Sequence, residues 1–127
     1  MLTIFIMLAI SVTCAALGPV VQAKGMVALG AHDDWLSLET FRYFGRALTT
    51  PTVIVGTLLH AVAFFLNLAL LARAPVSFIV PLTAMEYIVG VMLARMILGE
   101  IVEPMRWAGV GVIAIGVLMM SMTWKPD

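Results

Sequence analysis

The sequence predicts an all-α integral membrane protein, a bundle of four transmembrane helices with a short interfacial amphipathic helix between the first and second. Three observations carry that prediction. Of 127 residues, 63% are hydrophobic and 11% charged, whereas a soluble domain has roughly a quarter charged residues and under half apolar. The mean hydropathy is +1.13. Four separate stretches also reach the ~20 apolar residues that a helix needs to cross hydrocarbon. The whole chain, 1–127, reads as one transmembrane domain. Zero formal net charge gives no electrostatic footing for a nucleic-acid partner. A single cysteine, Cys14, excludes an intrachain disulfide framework. Ten methionines suit adaptable packing between helices.

The first helix is expected over residues 2–23. A cleaved signal peptide would carry a basic start, but no Lys or Arg precedes Lys24, so a retained helix is expected despite a loose "VQA" before that lysine. The connection that follows holds "DDWLSLETFRYFGRAL". Asp33 and Asp34 are good N-terminal caps. Glu39, Arg42 and Arg46 fall at i, i+3 and i+7, while Trp35, Leu38, Phe41 and Leu48 sit mostly away from them. That division predicts an amphipathic helix over 34–48 lying in the membrane interface. Pro51 and Pro75 open the second and third spans, expected over 51–72 and 75–98, because a first helical turn tolerates proline. The joint around Arg73 is so short that these two spans form an antiparallel hairpin. "GEIVEPMR" is the next tight connection, and the fourth span is expected over 107–123, flanked by Pro104 and Pro126. Trp107 and Trp124 bracket it at the two interfaces.

Lys24, Arg42, Arg46 and Arg106 lie at one end of the bundle, with Arg95 close enough to reach it, and Arg73 and Lys125 lie at the other. The excess of cations predicts that the long connection is cytoplasmic and both termini are outside.

Polar residues inside apolar spans are the candidate functional groups, because ionisable side chains in hydrocarbon are rare and tend to mark pathways. Glu86 stands about a dozen residues into the third span, about 16 Å from its start and near the midplane. Ionised there, it costs on the order of 3 kcal/mol, which it escapes by protonation, a cation or a wet cavity. Arg95 cannot rescue it within one helix: nine residues are about 13.5 Å of rise and about 900° of turn, so the two face opposite ways. Arg95 is expected to snorkel to the headgroups or to hold a lipid phosphate. His60 and Asn67 share a face of the second span with Gly56 and Phe64 nearby, and Ser11, Ala15, Gly18 and Gln22 form a small and polar stripe on the first. Such stripes pack helices closely, with polar groups as weak glue. His60, with no second His or Cys near it in sequence, makes no metal site. Gln22 and Lys24 lie where a cavity mouth could be. Gly109 and Gly116, seven apart, mark the fourth span as a packing and oligomerisation helix. No phosphate loop, nucleophile elbow or zinc spacing supports enzyme chemistry, and no cofactor is implied.

The first span ends in a Gln/Lys cluster. Then come "APVSFIVPLTAMEY", a compact "LGE" turn and "RWAGVGVIAIGVLMMS", with Pro81, Tyr87, Gly99, Glu100, Trp107, Gly109 and Gly116 in order. Over nearly its whole length the chain thereby resembles the drug/metabolite transporter superfamily in its four-helix, EamA-like or small multidrug resistance-like form. Within it, the resemblance is closest to the subunits that flip aminoarabinose-phosphoundecaprenol. The resemblance implies a multi-pass protein of the bacterial inner membrane that works as a homodimer, or as a heterodimer with a related small subunit, by alternating access. The small multidrug proteins carry a membrane-embedded glutamate in the first helix. Here that helix offers only Ser11, Thr13, Cys14 and Gln22, and the acid stands in the third span as Glu86.

The expected function is movement of a lipid-linked or amphiphilic molecule between leaflets, with an isoprenyl-phosphate-linked sugar as one example. Glu86, Tyr87, His60 and Asn67 would line the path of the polar head. Arg95 or Lys24, with Arg42 and Arg46, would attract a phosphate. The alternatives are a proton-coupled exporter of small cations and a non-transporting partner subunit.

Overall fold

The computed structural model describes residues 1–31, 33 and 35–125. The chain is helical over 82% of its length, without strands among the described residues. Helix α1 spans Leu2–Leu29, α2 Leu38–Thr49, α3 Pro51–Leu71, α4 Val76–Thr83 and α5 Met85–Leu93; a π-helical turn, Ala94–Leu98, follows, and α6 spans Pro104–Ser121. Four segments are long and apolar enough to cross a membrane: Leu2–Leu29, Pro51–Leu71, Val76–Leu98 and Pro104–Ser121.

Helix α1 runs past the expected end at residue 23 and stops at Gly30, whose φ of 85° suits glycine. Lys24 does not end it, because a lysine can stay helical while its ammonium reaches the headgroups. At about 42 Å, α1 exceeds the ~30 Å hydrocarbon core, which brings its last turns to the interface. Helix α2 starts after Ser37 rather than at 34: Asp33 is non-helical and Asp34 lies outside the described residues. Glu39 in its first turn and Arg46 in its last suit the helix dipole. Its buried Thr40 and Ala47 share one face, while Leu38, Phe41 and Leu48 are exposed. The Tyr43 hydroxyl donates to the Gly30 carbonyl at 2.9 Å, tying α2 to the end of α1. Only Thr50 separates α2 from α3, in the extended conformation that a following proline imposes.

The third span is not the continuous helix expected over 75–98. Pro81 has no N–H to donate and its ring crowds the preceding turn. The helix breaks at Ala84, where the Ala84 N–H donates to the Pro81 carbonyl and the Tyr87 N–H to the Ala84 carbonyl, both at 3.1 Å. These are i to i−3 bonds, tighter than the α-helical ladder. A second irregularity, the π-helical turn, ends the span at Gly99, which has φ 67°. Helix α6 begins at Pro104, one turn before Trp107, and ends at Ser121; Pro126 lies outside the described residues.

Helix α1 packs chiefly on α3 and then on α5, while α4 meets α6. The α1–α3 seam is made of small residues. A Cβ on Gly56 would stand 2.7 Å from the Gly18 carbonyl oxygen, and one on Gly18 would collide with the His60 imidazole. Backbones this close gain dispersion contacts that hydrocarbon solvent cannot replace. Within the seam the Ser11 hydroxyl donates to the Ala63 carbonyl at 3.1 Å. The core proper (Leu8, Val12, Leu70, Ala74, Phe78, Ile79 and Leu82) gathers where the start of α1, the α3–α4 joint and the end of α6 converge. Helices α5 and α6 bury no residue within the chain.

Candidate functional site: a lateral groove between α1 and α5

In the other half of the bundle, beside the contact between α1 and α5, a groove of about 400 Å³ opens along the two helices. One wall is the Ala15, Pro19 and Ala23 face of α1, with Ala16 and Val20 beside it. These positions recur every four residues, so they share a face, and their small side chains leave the space open. The opposite wall is Glu86, Tyr87, Gly90, Val91, Ala94 and Leu98, which follows one face of α5 into the π-helical turn. His60 reaches in from α3, and Glu100 closes the end near the α5–α6 connection.

The Ala84 break sets Glu86 in the first turn of α5, where a helix start favours negative charge. Glu86 is half-buried and Tyr87 is exposed. The groove is mostly apolar, with polar atoms only at His60, Glu86, Tyr87 and Glu100. No Lys or Arg is among its lining residues. It can therefore accept an apolar body and supply two carboxylates, an imidazole and a phenol to a cationic or donor-rich group. Among the described residues, no three His, Cys, Asp or Glu side chains come together as a metal-ligand set.

Glu86, Tyr87 and His60 thus share one groove. The other candidates fall elsewhere. The Gln22 amide donates to the Thr57 hydroxyl at 3.1 Å, inside the α1–α3 seam. Lys24 is exposed and Asn67 half-buried, and neither lines the groove. The Arg95 guanidinium sits 5.8 Å from the centre of the Trp107 ring, within cation–π range. It lines a separate cavity of about 330 Å³ with Gly99, Glu100, Ile101 and Val102. Arg95 and Glu86 form no ion pair, as their opposed facing requires. Pro81 lies in the interrupted part of the span, and a Cβ on Gly109 or Gly116 would meet nothing within 4 Å.

Two features escape sequence reasoning. Glu100 reads as part of a turn, yet it borders both the groove and the Arg95 cavity. Ala15 reads as one stripe with Ser11, Gly18 and Gln22, yet it lines the groove while those three serve the α1–α3 seam. The every-fourth spacing of Ala15, Pro19 and Ala23 was the available signal. In comparison with known proteins, no family model matches the chain, and neither a curated protein nor a solved structure does.

Proposed function

We propose that this chain is a transporter of the drug/metabolite transporter type in the bacterial inner membrane, moving an amphiphilic molecule between leaflets by alternating access as a dimer. One observation carries the reading: an apolar groove along the spanning helices offers Glu86, His60, Tyr87 and Glu100, and no lining cation, to whatever enters it. Carrying a polar head through hydrocarbon strips its hydrogen bonds, at roughly 2–7 kcal/mol for each unpaired group. A groove that supplies partners lowers that barrier, while the hydrocarbon tail stays in the bilayer. The volume lies in the ordinary range for a small-molecule site. Two carboxylates and no cation suit an amino-bearing or hydroxyl-rich head, such as an aminosugar on an isoprenyl phosphate. Lys24, Arg42, Arg46, Arg95 and Arg106 cluster at the Glu100 end of the bundle and would attract the phosphate at the membrane surface.

A dimer follows from the missing wall. The unburied faces of α5 and α6 are where a second chain, identical or related, would enclose the groove, and Gly109 and Gly116 would permit close approach. The same carboxylates favour a second reading, export of a lipophilic cation in exchange for protons at Glu86. Proteoliposomes separate the two. Exchange of a fluorescent isoprenyl-phosphate aminosugar between leaflets, lost in Glu86→Gln, supports flipping. Proton release on adding a lipophilic cation, without lipid exchange, supports antiport. A folded protein that does neither defeats both.

A further inference from the structure

A second cavity, about 570 Å³, lies at the end of the bundle opposite Glu100. It forms where the start of α1, the α3–α4 joint and the chain beyond α6 converge. Arg73 enters it from the joint and Lys125 from the segment after α6, and Ser77 and Thr123 add hydroxyls. Phe78 and Trp124, with ring centres 4.3 Å apart, connect it to the apolar core. No Asp or Glu is among the described residues that line it. Arg73 Nη1 donates to the Met7 sulfur at 2.8 Å, a weak acceptor that leaves most of the guanidinium donors unspent. The Trp124 Nε1–H is buried and has no acceptor among the described residues.

We propose that this cavity binds an anionic phosphate group, one not already balanced by a cation of its own as in phosphatidylcholine. An oxyanion supplies negative charge for Arg73 and Lys125, and acceptors for the guanidinium and the Ser77 hydroxyl. The cavity sits where α1, α3, α4 and α6 begin or end, the depth of lipid headgroups, and anionic lipids draw Lys and Arg there. The headgroup phosphate of an anionic phospholipid fits that depth, and free phosphate offers the same chemistry. The site is separate from the groove and does not depend on the transport reading.

The test uses the full chain with Trp124 as its one tryptophan (Trp35→Phe, Trp107→Phe). It is reconstituted in phosphatidylcholine vesicles carrying a minor fraction of brominated phosphatidylglycerol or, in parallel, brominated phosphatidylcholine. Bromine quenches a tryptophan it touches. Phosphatidylglycerol is expected to quench Trp124 selectively. Arg73→Gln and Lys125→Gln should each weaken its apparent affinity about fivefold, whereas Arg106→Gln at the opposite end should not. Inorganic phosphate identifies the source: selectivity that survives it assigns a lipid phosphate, and displacement by it assigns a soluble one. Equal quenching by the two lipids, with no response to inorganic phosphate, overturns the proposal. So does selectivity retained when Arg73→Gln and Lys125→Gln are combined. Native mass spectrometry of the unsubstituted chain, counting retained phosphatidylglycerol against phosphatidylcholine, makes the same comparison without any substitution.

Discussion

At the residue scale, two glycines of the same chemistry are expected to behave oppositely. A methyl group on Gly18 would collide with the His60 imidazole and approach the Gly56 carbonyl oxygen to 3.0 Å. Gly18→Ala must therefore part α1 from α3, at about 1–3 kcal/mol, read as a fall in unfolding free energy in mixed micelles. Gly90 faces the groove, where an added Cβ meets nothing within 4 Å. Gly90→Ala should gain up to about 1 kcal/mol from helix propensity yet slow transport, because it narrows the groove. Glu86→Gln preserves shape and removes a carboxyl from a groove whose lining holds no Lys or Arg. Its stability should change by less than about 1 kcal/mol, while exchange of an amphiphile falls at least about tenfold, the effect of ~1.4 kcal/mol at the barrier. Glu86, Tyr87 and His60 were legible in the sequence because ionisable and amphipathic groups stand out in apolar helices. Gln22, Asn67 and Arg95 stand out in the same way, yet the structure puts them elsewhere. Polarity marks a residue, but only a neighbouring helix decides whether it faces a seam, a groove or lipid.

At the element scale, the third span is built from two interruptions. The break at Ala84 sets the start of α5, and the π-helical turn sets its end. Between them α5 is a nine-residue rod that carries Glu86 and Tyr87. Pro81→Ala restores a donor to the Ser77 carbonyl, within α4, and should leave the break at Ala84 in place. Because proline in a helix interior costs about 3 kcal/mol, the variant should be at least as stable as the parent, with an unchanged exchange rate because Glu86 keeps its place. Thermal unfolding and leaflet exchange on one preparation check both. The four spans were readable from length and hydropathy alone. The break was not, because eight-residue α4 and nine-residue α5 read as one hydrophobic run in which Glu86 is the lone charge. The end of α1 was misplaced for a related reason: Lys24 resembles a stop, but it is one only if its charge cannot reach water.

At the scale of the whole molecule, the apolar core and the groove lie in opposite halves of the bundle. Leu8, Leu70, Phe78, Ile79 and Leu82 hold the end shared by the termini, and the groove occupies the half toward Glu100. This asymmetry was hidden in the sequence, since all four spans are similarly apolar and only their packing tells a core from a wall. If a second chain completes the groove, Gly109→Ile with Gly116→Ile should weaken dimer crosslinking in the membrane while leaving helix content unchanged, because neither position touches its own chain. The measurement that tests the central claim most directly is protection of the groove wall. With Cys14→Ala removing the native thiol, Gly90→Cys places one thiol in the open space beside Glu86. A membrane-impermeant thiol reagent should label it from each side of the membrane, as alternating access requires, and a saturating amphiphile should block that labelling. A thiol that stays unlabelled from both sides, or one labelled equally with and without the amphiphile, would contradict the groove as the path.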